Sequence, residues 1–411
     1  MPADPRAPAL HGGADDDRGP ARTPIIIDAA RMLNEDGSFT EGSVTIDGGR
    51  ITAVCRQRSF HPDAIDLCDG ILAPGFIDLQ FNGARGVDLA HADAAQWSAT
   101  LAYLPTTGVT SVVATFVSDP LEGLLSSIQT AEQVRRDRCA GNSGGAQLAG
   151  VHLEGPFLSP QWRGAHNVSY LRQPDQHVVQ RLLDEAGSLL SIVTLAPELP
   201  GASRRIQQLV RAGVVVSVGH SGATAAQVAH AADLGASMVT HLFNAQTGLH
   251  HRRPGVVGQA LSDARLTATL IADLAHVAPQ VCRIAFAAKP NAIALITDSV
   301  AAAGLEPGLY KMADGEVIVS ADGPPRRPGG PLAGSALCMD QAVRNIVALG
   351  TPIGVALQAA SRVPAEQLRR ADLGRIATGA NADLVWLSDE LQPQATWVGG
   401  QLVHAQAHAD A

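Results

Sequence analysis

No stretch of this chain approaches the ~18–20 consecutive apolar residues of a bilayer span; Asp, Glu, His, Arg or Gly interrupts every candidate run. Basic residues are outnumbered, 30 Lys and Arg against 39 Asp and Glu, giving a net charge of −9. That argues against a broad nucleic-acid grip, which needs clustered cationic surface, while a local basic pocket stays compatible. Cysteine is sparse. Cys55, Cys68, Cys139, Cys282 and Cys338 are scattered, odd in number and without a CxxC pair. Free thiols in a reducing compartment are therefore expected, in place of a disulfide framework or a zinc ribbon. The opening MPADPRAPALHGGADDDRGP lacks the apolar core of a secretory signal, so a cytoplasmic location is expected. What is present is a globular balance, 46% hydrophobic and 17% charged over 411 residues, enough for one large domain plus a smaller one or for two mid-sized domains.

Residues 1–22, rich in Pro, Ala, Gly and Asp, read as a disordered tail, and 406–411 as a second one. From Pro24 the texture changes to short β-rich runs, with Asp47-Gly48-Gly49 as a tight turn between two of them. Similar runs return in ADLVWLSD and ATWVGGQLVHA near the end. The two ends are expected to pair into one small β-sandwich, 23–74 with 369–405, around a central domain at 75–368.

That centre holds eight short apolar runs: PGFIDLQF, SVVATF, LAGVHLEG, LSIVTLAPE, VVVSVGHS, SMVTHLF, ATLIADLAH and AIALITDS. Between them lie Ala/Leu/Arg-rich helical stretches. Continuous β-branched runs alternating with helices indicate parallel strands buried on both faces. Eight such units match an α/β fold of the (β/α)₈ TIM-barrel type. A doubly wound open sheet is the alternative, weakened because no G-x-G-x-x-G follows a strand. GNSGGAQ at 141–147 precedes a strand and reads as a loop, as does the Pro/Gly-rich 323–331 stretch with Arg326 and Arg327.

Each run turns polar at its C-terminal end, at Gln80 and Asn82, Glu154, Glu198, His220, His241, His276 and Asp298. In a parallel barrel all these ends open on one face, where such folds place their chemistry. Glu154, His220 and His241 make a one-carboxylate, two-imidazole set, typical of a catalytic divalent metal that keeps a position for water. A metal there lowers the pKa of its bound water from about 15.7 toward about 7, and Asp298 would serve as general base and then acid. Either histidine alone is as readily explained as a hydrogen bond closing a strand end; the joint set is not. His152, two residues before Glu154, is a ligand, a partner behind the ligands, or core packing, with the last two favoured. His166, in PQWRGAHN, is either a surface residue or a donor polarising a carbonyl. His250, His251, Arg252 and Arg253 form either a solvated basic loop or an anion clamp. His404 and His408 lie in an alanine-rich stretch and carry no expected role.

The ordered segments PGFID-x-Q-x-NG, HLEGPF, GHSGAT, THLFNA and TDS resemble the N-acetylglucosamine-6-phosphate deacetylase family of the amidohydrolase superfamily, from about Pro24 to about His404. The resemblance implies a metal-dependent barrel with a small β-sandwich. It matches Glu154, His220 and His241 to the family's metal ligands and Asp298 to its acid/base. It also matches His166 to a contact on the substrate carbonyl, Arg252 and His276 to phosphate contacts, and Asn244 with Ala245 to the lining of the sugar site. Because the family's arginine reaches a neighbouring subunit's pocket, a homodimer is implied. The reaction expected is attack of metal hydroxide on the acetyl group of N-acetylglucosamine 6-phosphate, releasing acetate and glucosamine 6-phosphate in amino-sugar catabolism. The alternatives are a related amidohydrolase acting on another N-acylated sugar or amide, and a barrel that has lost catalysis.

Many superfamily members carry H-x-H on the first strand, supporting a second metal. Here Gln80-Phe81-Asn82 stands there, and neither of the two lysines, Lys289 and Lys311, ends a barrel strand to bridge a metal pair. One divalent ion is expected, with Zn²⁺ first and Fe²⁺, Co²⁺ or Mn²⁺ as alternatives. The chain departs from the family's usual Met-Pro-Pro-like segment at Gln246-Thr247-Gly248, from an acidic residue at Arg253 and from ADG at Leu274. Ser299 also follows Asp298 where alanine is common. These departures bear on substrate identity more than on reaction class.

Overall fold

The computed structural model describes residues 24–140, 144–312, 315–320, 323–326, 328, 332 and 334–406. The expected tails, apart from Gln406, lie outside the described residues, as do His408, Arg327 and residues 141–143 of the Gly-rich loop.

Eight parallel strands form one sheet in chain order: Phe76–Phe81, Val109–Val117, Gln147–Glu154, Leu190–Leu195, Val215–Val218, Met238–Val239, Thr267–Ile271 and Ile293–Ile296. Helices such as Leu121–Ala140, Gln176–Ala186, Ala225–Asp233 and Pro279–Ala288 connect them on the outside. The strands form here because their β-branched and aliphatic runs are buried on both faces. All six residues of the first strand are buried, and all but the last residue of the second. Ile192, Val216, Leu270 and Leu295 are fully enclosed in this core, and each such side chain contributes roughly 1.5–3 kcal/mol relative to exposure. Helix starts are specified locally. Asp93 with Gln96, and Thr224 with Gln227, form reciprocal capping boxes, a cap being worth ~1 kcal/mol.

The eighth and first strands share no regular ladder. Their seam is closed just beyond the strand ends, where the Asp298 N–H donates to the Gln80 carbonyl and the Asn82 N–H to the Ser299 carbonyl, both at 2.9 Å. Deeper in the seam, Asp78 accepts hydrogen bonds from the Thr297 hydroxyl and from the backbone N–H groups of Thr297 and Gln80. Barrel closure and placement of Asp298 therefore depend on the same contacts.

Both chain ends build the second, eight-stranded sheet. Leu384–Leu387 pairs antiparallel with Ile71–Pro74, which neighbours Ile25–Leu33. One continuous hydrogen-bonded path runs through the expected sandwich, with Ile27, Val44, Ile51, Leu384 and Trp397 in a core of its own. Gly48 and Gly49 turn between Phe39–Asp47 and Arg50–Cys55 with φ of 55° and 79°, which L residues resist. The chain passes from this sheet into the barrel at Gly75, where a Cβ would lie 2.2 Å from the Thr110 side chain.

Three expectations need correction. The fourth and seventh strands end at Leu195 and Ile271, so Glu198 and His276 stand in the loops that follow. In the seventh, Asp273 accepts the N–H groups of Ala275 and His276, a local turn that competes with strand geometry. In the 323–331 stretch, Gly323–Arg326 is a strand of a small antiparallel sheet with Gly308–Met312 and Gly315–Ser320. It is the edge strand, where proline is tolerated because its missing N–H breaks no ladder. Among the described residues, no helix is long and apolar enough to cross a membrane, and Cys55, Cys68, Cys282 and Cys338 are free.

Candidate active site

His220, His241 and Asp298 each stand just past a strand, with left-handed φ of 47°, 27° and 48°. Such a backbone costs of order 1–3 kcal/mol in a residue with a side chain and clusters at functional sites. It swings these groups off the strand direction into the barrel mouth, where Glu154 ends the third strand.

Glu154 Oε1 lies 3.0 Å from His220 Nε2 and 2.8 Å from His241 Nε2, and the two nitrogens are 3.0 Å apart. All three residues are about 4% exposed. His220 Nδ1 lies 2.9 Å from the Trp162 carbonyl. A carbonyl only accepts, so Nδ1 holds the ring proton and Nε2 turns its lone pair inward. A carboxylate oxygen and two ring nitrogens thus converge, with the His220 lone pair turned inward, an arrangement that suits a divalent metal. Among the described residues, this is the one cluster of three or more such side chains able to hold a metal. Burial tends to raise the Glu154 carboxyl, but the two imidazoles outweigh it and hold it well below the usual carboxylate range.

Asp298 faces this cluster. Enclosure of its carboxyl, and then the Glu154 charge, push its pKa up from the ordinary value. Its Oδ1 accepts from Gln80 Nε2 at 3.1 Å and Asn82 Nδ2 at 3.0 Å. Gln80 Nε2 also lies 3.1 Å from Glu154 Oε1.

His166 stands against the same cluster, 6% exposed, its ring edge-on to His220 with centroids 4.5 Å apart. Its Nε2 is 3.8 Å from Glu154 Oε2, and burial brings its pKa down to about 3. His152 lies below, inside the barrel, with Nε2 2.7 Å from the Thr194 hydroxyl. That hydroxyl continues through Thr240 to Ser217.

The remaining candidates ring the mouth. His276 Nδ1 is 2.6 Å from Asp273 Oδ2. Between them Leu274 sits at φ 63°, a backbone suited to glycine. Ala245, at φ 50°, accepts the Ser221 N–H, and Asn244 donates to the His241 and Leu242 carbonyls. The unusual 246–248 loop ties itself to the site's backbone. Gln246 Nε2 donates to the His241 carbonyl at 3.1 Å and the Thr247 hydroxyl to the Ala223 carbonyl at 2.8 Å. Arg252 is exposed, with Nε bonded to His251 Nε2. Among the described residues, no hydrogen bond or ion pair ties it to the Glu154 cluster.

Glu198, one of the polar ends read from the sequence, accepts from the Ser221 hydroxyl and the Gly222 N–H, fixing the turn after His220. Two contributors escape a reading by residue type. The Trp162 carbonyl orients His220. Ser118, at the end of the second strand, contacts His166 Nδ1; the polar-strand-end pattern marks it, the second strand being the one whose end carries no other candidate.

Residues 71–403 match the amidohydrolase family. The chain is 38% identical over 405 residues to an N-acetylglucosamine-6-phosphate deacetylase of Bos taurus, covering 94% of this chain and 97% of that one. It is 36% identical over 383 residues to an N-acetylgalactosamine-6-phosphate deacetylase of Escherichia coli O157:H7, covering 92% and 98%. Its fold is similar, at TM-score 0.84 and 33% identity over 93% of this chain and 99% of the other, to a mutant N-acetyl-D-glucosamine-6-phosphate deacetylase of Mycobacterium smegmatis in complex with N-acetyl-D-glucosamine-6-phosphate. Barrel, buried candidate metal cluster and sequence agree: the chain belongs to the amidohydrolase family.

Proposed function

We propose that this chain is a hydrolase that removes the acetyl group of N-acetylglucosamine 6-phosphate, giving acetate and glucosamine 6-phosphate. The observation that carries the reading is the Glu154–His220–His241 cluster with Asp298 linked to it through Gln80. Those three side chains would hold one divalent ion, Zn²⁺ by the mixed nitrogen and oxygen donors, which when bound polarises the amide and makes water a stronger acid. Asp298 takes the proton of the attacking water as its oxygen bonds the acetyl carbon. Asp298 then delivers that proton to the amide nitrogen as the C–N bond breaks, balancing amide plus water against acetate plus amine. The raised pKa of Asp298 suits this double duty, since a carboxyl nearer neutrality both accepts and returns a proton. His166 is assigned to the carbonyl oxygen, Asn244 and Ala245 to the sugar, and His276, held by Asp273, to the phosphate. Arg252, exposed in one chain, would complete a partner's phosphate site in a homodimer. The exposed free thiols Cys55 and Cys68 favour a reducing, cytoplasmic setting.

A second reading, an epimeric N-acetylated sugar phosphate, is favoured by the altered Gln246–Gly248 loop and by the similarity to an N-acetylgalactosamine-6-phosphate deacetylase. Acetate release from N-acetylglucosamine 6-phosphate, N-acetylgalactosamine 6-phosphate and unphosphorylated N-acetylglucosamine separates the two. Preference for the first phosphorylated sugar supports the main reading and preference for the second replaces it. Release from none of them, with metal bound, moves the function to another amide.

A further inference from the structure

We propose that the backbone N–H of Ser118 fixes His166 as its Nε2–H tautomer, so that this ring is a hydrogen-bond donor to the substrate and Ser118 a positioning residue. The inference rests on the hydrolytic reading above and goes beyond it by assigning the proton and what holds it there.

The argument starts from a group that cannot change role. A backbone N–H only donates, and that of Ser118 lies 3.2 Å from His166 Nδ1. A neutral imidazole has one donor and one acceptor nitrogen. With Nδ1 accepting, the ring proton sits on Nε2. A proton on Nδ1, in the other tautomer or in the imidazolium, would set two N–H groups head to head. The Ser118 hydroxyl does not upset this assignment. Its oxygen is 3.0 Å from the same nitrogen and 3.4 Å from the Glu154 carbonyl, so its hydrogen has an acceptor on either side.

The surroundings hold these atoms in place. Ser118 is 5% exposed. A Cβ at Gly155 would come within 2.3 Å of its hydroxyl, so the chain after Glu154 packs directly on it. The His166 N–H bonds the Arg163 carbonyl at 3.0 Å, and Arg163 Nη1 donates back to the His166 carbonyl at 2.8 Å. The ring is placed by its own loop and its proton by another strand.

The other face of the ring shows what the tautomer is for. Glu154 Oε2, the facing carboxylate oxygen, is 3.8 Å from Nε2, beyond hydrogen-bond reach. A donor in a ring 6% exposed is thus left directed at the site. His220, in edge contact with it, is set the opposite way. Its Nδ1 meets a carbonyl where His166 meets an N–H. Two adjacent imidazoles are sorted, one offering a lone pair and one a proton, by which backbone group each finds behind it.

The test is long-range ¹H–¹⁵N correlation on histidine-labelled, zinc-loaded protein without substrate, with the His166 signals identified by their loss in His166→Gln. A pyridine-type Nδ1 and a protonated Nε2 are expected, and the reverse pattern overturns the assignment. Ser118→Ala keeps the N–H and is expected to keep the tautomer; a switch in that variant would shift the cause to the hydroxyl and overturn the backbone's role. In turnover, the His166→Gln amide reaches the Nε2 position while His166→Asn reaches only the Nδ1 side. The glutamine variant is expected to retain about ten times the kcat of the asparagine variant, about 1.4 kcal/mol of barrel-mouth hydrogen bonding, at equal metal content. Equal loss in both would remove the donor role. Since the nitrogen pattern is read without substrate, failure of the wild-type protein to release acetate would overturn the proposed reaction and leave the tautomer decided separately.

Discussion

The Gln80 amide nitrogen is 3.1 Å from Asp298 Oδ1 and 3.1 Å from Glu154 Oε1. One NH₂ group thus spans the two carboxylates, a hydrogen for each, and sets the distance between them. With Asn82 on the same Oδ1, the proton traffic proposed for Asp298 falls to its other oxygen.

Replacing Gln80 with leucine removes both donors while keeping bulk. Hydrogen bonds to charged groups are worth about 1.5–3 kcal/mol, so kcat is expected to fall about 10- to 100-fold. Metal content should stay near one per chain by elemental analysis. An unchanged kcat would show that the amide spaces nothing that matters.

Asp298→Asn keeps the shape and the hydrogen-bond reach of the side chain but removes the proton acceptor. Turnover is expected to drop by about 10²–10⁴ with metal still bound. Activity within a few-fold of the parent would remove Asp298 from the acid/base role.

Stripping the protein with a chelator should abolish turnover, and added Zn²⁺ should restore it. His241→Ala, which deletes one of the three converging donors, should resist that rescue at the same metal concentration. Equal rescue of parent and variant would place the ion elsewhere.

The barrel seam makes stability depend on pH. Burial pushes the Asp78 carboxyl up from 3.8 to about 7, against the hydrogen bonds from Thr297 and Gln80 that lower it. The folded protein therefore holds this proton more tightly than the unfolded chain. The stabilisation is fully present below about 3.8 and is lost as pH rises through about 7. Asp78→Asn, a neutral side chain at every pH, should flatten that decline. The check is the urea midpoint at pH 5 and pH 8 in both proteins; the same slope in each would assign the dependence to other groups.

The barrel was legible because each strand is a continuous apolar run and each helix between them carries its own polar pattern. The convergence of the candidate ligands was legible for a related reason: strand ends in a parallel barrel share a face, so Glu154, His220 and His241 could be placed together across 87 positions of sequence. Backbone partners were not legible. The Ser118 N–H and the Trp162 carbonyl decide two tautomers, yet any residue type supplies such groups. Nor does sequence mark the left-handed turns at His220, His241 and Asp298, where no glycine stands. Gln80 was read through what it cannot do, ligate a second metal, whereas its geometry makes it a double donor. His276 fell beyond its strand because Asp273 captures two N–H groups that a continuing strand would have needed.

The pairing of Leu384–Leu387 with Ile71–Pro74 has a bearing on how the chain is made. During synthesis the segment that leads into the first barrel strand emerges early, but its sheet neighbour emerges only after the whole barrel has left the ribosome. Until then one edge of Ile71–Pro74 is open, and open strand edges invite association with other chains. Capture of the C-terminal strands thus waits until the whole barrel has been synthesised, and it closes a very long loop. A nascent chain stalled before Leu384 would present a barrel whose entrance strand is still unpaired, a natural target for chaperones.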